Sequence, residues 1–216
     1  ENARIVITGF HNLNKDVVVF KRATTAGQAG YFENIGNTLR KGIELSGRYK
    51  QSTWEVGASY TYLKATYRSE VNLPSVGDYE DANSITTSKG TRIAGLPEHI
   101  FKLAGLYRVT SQWRVGADIQ VFGSQVVAGN ENGTSEFEGT GKDKLAGYSI
   151  FNLNTNYEIS KGLNAFMRVN NVFDKRYASY ASLGYDVFTN PGSATEAVFY
   201  APGAPRAVFG LSLIHI

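Results

Sequence analysis

Apolar and polar residues alternate along most of this chain. In the stretch 54–66 the even positions carry Trp54, Val56, Ala58, Tyr60 and Tyr62, while the odd ones carry Glu55, Gly57, Ser59 and Thr61. Trp113, Val115, Ala117, Ile119 and Val121 stand likewise against Arg114, Gly116, Asp118 and Gln120. Leu39, Ile43, Leu45 and Tyr49 oppose Arg40, Glu44, Ser46 and Arg48, and the stretch 101–109 sets Lys102 and Arg108 on its polar side. Phe151, Leu153, Tyr157 and Ile159 face away from Asn152, Asn154, Asn156 and Glu158. A helix would space its apolar residues by three and four; a period of two is the signature of strands with one apolar and one polar face. The pattern predicts about nine strands, at 3–12, 16–22, 31–49, 54–68, 91–109, 113–127, 147–159, 164–173 and 204–213.

Connection lengths supply the next constraint. Tight joins are expected at 12–15, 50–53, 110–112 and 160–162, and long polar stretches at 23–30, 68–90, 128–147 and 174–203. A soluble sandwich has no reason to keep one end tight and the other long. A membrane barrel does, because its periplasmic turns are short and its external loops long. The expected class is therefore all-β, an antiparallel transmembrane β-barrel. Strands 31–49, 54–68 and 91–109 exceed the ~9–11 residues needed to cross a bilayer and should project beyond the outer surface. With the long loops outside, the first and last strands both run toward the periplasm. An odd count of about nine cannot close on its own, so the chain reads as part of a barrel.

Composition changes the picture little but excludes much. Glycine (23), tyrosine (13) and phenylalanine (12) are abundant, proline is scarce (5), and cysteine is absent, which removes disulfides and thiolate metal sites. No apolar run approaches a spanning helix, and the mean hydropathy of −0.24 suits strands that average lipid-facing with lumen-facing residues. A net charge of +3 gives no nucleic-acid footprint. The start, Glu1-Asn-Ala-Arg, has no basic or apolar leader, so a preceding segment is expected.

Trp54, Tyr60, Tyr62, Tyr107, Trp113, Tyr148 and Tyr157 are expected to form the aromatic girdles at the membrane interfaces, with Trp54 and Trp113 following short turns and Tyr107, Tyr148 and Tyr157 on lipid-facing registers. Arg40, Glu44, Arg48, Glu55, Lys102, Arg108, Arg114, Asp118 and Arg168 form the opposite, lumen-side set. The same charges would also suit the solvent side of a half-exposed soluble sheet. Only the loop-length pattern separates those two readings.

Several segments resemble one family. Ile35-Gly-Asn-Thr-Leu-Arg-Lys-Gly-Ile-Glu-Leu, with Gly42 and Glu44, resembles a strand motif of TonB-dependent receptor barrels. The segment from Gly90 to His99, with Pro97 and His99, resembles their Gly-x-x-x-x-Gly-x-Pro-x-His. Arg168-Val-Asn-Asn-Val-Phe-Asp-Lys-Arg-Tyr resembles the signature carried here by Asn170, Asn171, Phe173, Asp174 and Tyr177. Tyr200-Ala-Pro-Gly-Ala-Pro-Arg, with Pro202, Gly203, Pro205 and Arg206, resembles the approach to the final strand. The resemblance implies a plugged barrel of 22 strands, about nine of them here, in the bacterial outer membrane. It also implies active uptake of a scarce ligand such as a ferric siderophore, driven by a TonB complex acting on an N-terminal part outside this chain. The motif residues are expected to be structural: Asp174 starts a turn, and Pro202, Gly203 and Pro205 fix the chain's re-entry into the sheet.

Candidate ligand contacts lie in the long stretches: Asp78, Tyr79, Glu80, Asp81, Arg92, Glu131, Phe137, Lys142, Lys144, Tyr180 and Tyr185. Basic and aromatic groups suit an anionic chelate, and carboxylates suit a cation. No catalytic elbow, phosphate loop, cofactor motif or histidine metal spacing is present, so a non-enzymatic protein is expected. Outer-membrane lipid is the expected surrounding partner, and nucleic acid is not expected. Two other readings stay open, a passive porin and a soluble β-sandwich binding module. The end, Leu211-Ser-Leu-Ile-His-Ile216, resembles the translation of a transposon-derived sequencing adapter. The native barrel segment is accordingly expected at 1–210, with 211–216 a foreign tail.

Overall fold

The computed structural model describes residues 2–21, 30–74, 84–133, 144–186 and 195–214, and these contain strands and no helix. In chain order the strands are β1 (Ala3–Asn14), β2 (Val18–Lys21), β3 (Tyr31–Asn34), β4 (Thr38–Lys50), β5 (Trp54–Tyr67), β6 (Val71–Pro74), β7 (Ser84–Thr87) and β8 (His99–Arg108). They continue with β9 (Trp113–Phe122), β10 (Gln125–Val126), β11 (Lys144–Leu145), β12 (Tyr148–Ser160), β13 (Leu163–Asn170), β14 (Ala178–Asp186), β15 (Thr195–Pro202) and β16 (Ala207–Ile214).

Eight of them form one antiparallel wall in the order β1-β4-β5-β8-β9-β12-β13-β16. Three short turns, 51–53, 109–112 and 161–162, join it at one end, and four long connections join it at the other. Each long connection carries its own two-stranded ribbon: β2–β3, β6–β7, β10–β11 and β14–β15.

This corrects the expected count. Residues 16–22 do not supply a ninth wall strand, since Val18–Lys21 pairs with Tyr31–Asn34 instead. There is no tight turn at 12–15 either, because β1 runs on until Asn14 lies opposite Thr38. The first strand thus runs toward the long-loop end, not away from it. Alternation alone cannot tell a wall strand from a ribbon strand, since each has one covered face. The expected 31–49 splits where Gly36 takes a φ of +84°. The expected 91–109 begins its regular wall pairing only at His99.

Register decides which residues share a face. Trp54 pairs with Tyr107, Val56 with Gly105, Ala58 with Leu103 and Tyr60 with Phe101. On the other face, Glu55 lies opposite Lys50 and Ser59 opposite Lys102. Asp118 lies opposite both Ala104 and Asn152. The alternation read from the chain therefore propagates across the wall as one apolar and one polar surface.

The apolar surface is left uncovered. Ile5 (79% exposed), Ile7 (71%), Ile43, Leu45, Leu103, Leu153 and Met167 all stand open on it. In water so large a contiguous patch would aggregate; against hydrocarbon it is the solvated face. The buried core lies in the long connections. Ile35, Tyr67, Val71 and Leu73 form one cluster, with Val17, Val19, Ile85 and Ile93 packed on it. Val127, Leu145, Ala181 and Leu183 form a second, with Ala178 and Val198. So the first two loops are held together by one apolar core and the last two by another.

In β16 apolar residues stand on both faces, with Val208 and Ile214 on the apolar register and Phe209 on the polar one. Leu211 and Leu213 pair with Phe166 and Asn164 on the polar side, while Ser212 pairs with Ala165 on the apolar side.

Candidate functional site

Two features gather polar and aromatic side chains, the junction of the long loops and the polar face of the wall. The first is the junction of the loops. Beyond Leu63 the chain 90–98 follows β5 without regular pairing: Tyr67 N–H donates to Thr91 O, Ile93 N–H to Ala65 O, and Leu63 N–H to Glu98 O. Residues 94–97 bow out between these bonds. Gly90 (φ +97°) and Gly95 (φ +72°) occupy left-handed backbone positions that favour glycine. The bow is spanned by an ion pair, Arg92 Nε to Glu98 Oε1 at 3.4 Å, with both side chains about one-quarter exposed. Arg92 Nη2 is buried and finds no hydrogen-bond partner among the described residues.

The third loop comes against this bow. Gly95 N–H donates to Val126 O at 3.1 Å. Farther on, Glu131 is half-buried and its Oε2 accepts the Gly129 N–H at 2.9 Å. Burial pushes the Glu131 carboxyl above the ordinary carboxylate range, although its own and Gly129's amides pull the other way. The fourth loop closes the junction with Tyr180, whose ring packs on Gly95 and leaves little space for a Cβ there. Burial raises the Tyr180 phenol, and the Glu131 charge adds to the effect. Tyr67 and Arg40 belong to the same neighbourhood: Tyr67 feels the charges of both Glu131 and Arg40.

Of the loop residues expected from the sequence, Glu131 and Tyr180 thus lie close together, and Arg92 belongs to the segment that meets their loops at Gly95. Lys144 stands exposed in β11, opposite Val126, outside that junction. Tyr185 pairs with Glu196 in the last ribbon. Asp78, Tyr79, Glu80, Asp81, Phe137 and Lys142 lie outside the described residues. Tyr67 and Glu98 went unremarked in the sequence. The only signal for Tyr67 was its place at the outer end of an alternating strand.

The second feature is the polar face of the wall. Gly47, Gly57, Ser59 and Ala104 leave a depression of about 440 Å³, edged by Lys102, Asp118, Gln120 and Arg168. Asn152 Nδ2 donates to Asp118 Oδ2 at 2.7 Å, and Arg168 reaches Asp118 Oδ1 at 3.5 Å over the intervening strand. Arg168 Nε also donates to Asn170 Oδ1. Nearer the short turns, Arg48 and Glu55 pair at 2.6 Å. Among the described residues no group of His, Asp or Glu is arranged to hold a metal ion.

The motif residues build the frame that presents these surfaces. Asn171 is 3% exposed, with its N–H donating to Asn152 Oδ1. Its side chain donates to Lys175 O and Ala204 O and accepts the Lys175 N–H. Asp174 Oδ1 accepts the Arg206 N–H at 2.8 Å. Gly42 lies under the Phe10 ring, and Glu44 pairs with Thr8 and Thr61 on the polar face. His99 Nδ1 meets Tyr60 Oη at 2.7 Å, with Tyr62 packed on the same imidazole.

The aromatic set divides. Trp54, Tyr107, Trp113 and Tyr157 cluster at the short-turn end of the apolar face, with Trp54 opposite Tyr107 and Trp113 opposite Tyr157. Tyr60 and Tyr62 stand toward the other end of that face. Tyr148 does not join them, because it pairs with Phe122 on the polar-face register and stacks on Tyr177. One residue of phase separates it from Phe151 and Tyr157, and in a strand that places it on the other side.

Comparison with known proteins adds the family. A family model described as "TonB dependent receptor-like, beta-barrel" matches residues 2–172. The metal-pseudopaline receptor CntO of Pseudomonas aeruginosa is 26% identical over 204 residues, covering 94% of this chain and 24% of that protein. The ferric-pyoverdine BN7/BN8 receptor of Pseudomonas putida is 28% identical over 208 residues, covering 90% and 22%. Among solved structures, the siderophore receptor PiuA from Acinetobacter baumannii superposes with a TM-score of 0.69 at 18% identity, over 99% of this chain and 26% of that one. The chain spans about a quarter of the length of the relatives it matches.

Proposed function

Because the chain belongs to the TonB-dependent receptor β-barrel family, we propose that it is the loop-bearing wall of an energy-coupled outer-membrane importer for a metal chelate, a ferric siderophore above all. The observation that carries this reading is the meeting of the long loops around Gly95, where the segment bearing Arg92 bonds to Val126 O and packs against Tyr180, with Glu131 close to that phenol. A guanidinium whose Nη2 has no partner among the described residues, with a phenol at the same loop junction, suits an anionic, aromatic chelate. The names of two relatives, a metal-pseudopaline and a ferric-pyoverdine receptor, agree with that chemistry. The charged face below would receive the solute or the parts of the receptor that lie beyond this chain, where TonB engages. The chain itself does no covalent chemistry.

The test uses a strain lacking the receptor, complemented with the full-length gene and grown on single ferric siderophores. Arg92→Ala with Tyr180→Ala should lower labelled-iron uptake at least about tenfold, the scale of 1.4 kcal/mol or more, at unchanged surface level. Uptake of every tested chelate unaffected by the double variant, or undiminished without TonB, would overturn it. The second result is the one a passive pore predicts.

A related proposal concerns the end of β16. We propose that native sequence stops near Gly210 and that 211–216 are foreign, a reading supported by the resemblance of that hexapeptide to a translated sequencing adapter. Reading the intact genomic locus decides it: an encoded Ser-Leu-Ile-His-Ile there would sink the idea.

A further inference from the structure

The apolar face of the wall carries one group of charges, and its position is informative. By register, Lys41 of β4 lies directly opposite Lys64 of β5, and His11 of β1 directly opposite Lys41. All three side chains are exposed. Among the described residues of the eight wall strands, every Asp, Glu and Arg falls on the polar register, so these two lysines have no acid on their own face. Like charges directly opposite one another destabilise a sheet. Among the described residues of the wall strands, no acid on that face offsets the repulsion.

Height along the membrane locates the cluster. Trp54 and Tyr107 mark the interface at the short-turn end. Lys64 is ten residues farther along β5, which at about 3.3 Å per residue and a tilt of about 40° is about 25 Å. That is the height of a barrel's apolar band, so the ammonium groups emerge at the outer headgroup level. Tyr62, paired with Ile43 in the next row inward, faces the same side.

We propose that Lys41 and Lys64, flanked by His11, bind the phosphate groups of a phosphorylated glycolipid of the outer leaflet. A phosphate seated between the two ammonium groups would convert a repulsive pair into a bridged one. The apolar row beneath, with Ile43 exposed and the Tyr62 ring beside it, offers contact for acyl chains. The ligand is a lipid of the surrounding membrane, distinct from any imported solute, so the proposal stands whatever the loops bind.

The test uses the full-length receptor, reconstituted in phosphatidylcholine nanodiscs containing bis-phosphorylated lipid A or its dephosphorylated form. Retention is read by native mass spectrometry. Lys41→Gln with Lys64→Gln should weaken retention of the phosphorylated lipid by about tenfold to thirtyfold, near the effect of two surface lysines. The dephosphorylated lipid should be retained equally weakly by both proteins. Lys41→Arg with Lys64→Arg should keep the binding, and Lys161→Gln in a short turn should leave it unchanged. Equal retention by the Gln double variant would overturn the proposal. So would competition by millimolar inorganic phosphate, which would make the site an ion site and not a lipid site. If the Gln variant fails to fold, as judged by heat-modifiable migration, the Arg variant and the dephosphorylated lipid still decide the matter.

Discussion

The ring of Tyr177 lies flat against the backbone of Gly203, where any Cβ would fall inside it, and the Gly203 N–H donates to Tyr177 O at 2.8 Å. The two sequence motifs that contain these residues are thus one physical unit, the stem of the last loop. Tyr148 extends it by stacking on Tyr177 with ring centres 4.4 Å apart. Gly203→Ala should displace the ring and loosen the stem by about 1–3 kcal/mol, the usual scale of overpacking. Limited proteolysis of the loop 171–206 in the full-length receptor would report it. Adding Tyr177→Ala should remove most of the extra effect, since the clash then has no partner. Additive losses would show that glycine is needed for another reason.

Asn171 makes a second prediction. Its backbone sits at φ +50°, and its amide bonds to both halves of the stem, at Lys175 O and Ala204 O. Asn171→Asp keeps the shape but turns two donor contacts into carboxylate–carbonyl repulsions. Asn171→Ala deletes them all. Both should destabilise the loop by about 2–3 kcal/mol, because a buried group left unpaired loses its full desolvation term. Asn171→Gly should be milder than Ala, since glycine relieves the backbone. Urea unfolding followed by loop-specific hydrogen exchange measures the order.

The wall was legible in the sequence because a two-sided environment writes itself into parity. Trp54 through Tyr62 reads as one face in the chain and is one face in the sheet. The ribbons were not legible. Val17 and Val19 alternate as a wall strand would, and only the long-range contact with Ile35 and Tyr67 reveals them as loop core. Tyr148 failed for the opposite reason: a strand start read one residue out of phase changes its side. The junction was half legible. Arg92, Glu131 and Tyr180 stood out as loop charges and aromatics, but no local signal placed Tyr67 near Glu131 or Glu98 beside Arg92. Their proximity depends on the bow at 94–97, which Gly90 and Gly95 permit.

Glu131 gives the junction a pH dependence with a definite sign. Its carboxyl lies above the usual range chiefly because burial penalises the charged form. A carboxyl raised on folding favours the folded state when protonated. That contribution is complete below the ordinary glutamate value of about 4.3 and disappears as pH rises through the raised value. Hydrogen exchange of the segment 123–133, corrected for intrinsic rates, should therefore show weaker protection at neutral than at acidic pH. Glu131→Gln should keep the acidic-side protection at neutral pH and flatten the profile. A profile unchanged by that substitution would assign the dependence to another group.

Leu103 and Ala104 are neighbours in β8 whose environments differ by one step of the pleat. Leu103 is 38% exposed on the apolar face opposite Ala58, whereas Ala104 lines the polar depression opposite Asp118. Leu103 is four residues from Tyr107 at the short-turn end of the apolar face, or about 10 Å up an apolar band of about 25 Å, close to its middle. Arginine there should cost about 2–4 kcal/mol in a bilayer, because no snorkelling route from mid-depth is short. Arginine at 104 would meet Asp118 in an aqueous, charged setting and should change stability by under about 1 kcal/mol. Reversible urea unfolding of the full-length receptor in lipid bilayers compares the two. A soluble sandwich would reverse the assignment of burial. Leu103→Arg would then be costly in detergent-free buffer and indifferent to lipid, so the same pair of variants measured with and without a bilayer separates the architectures by the sign of the lipid effect.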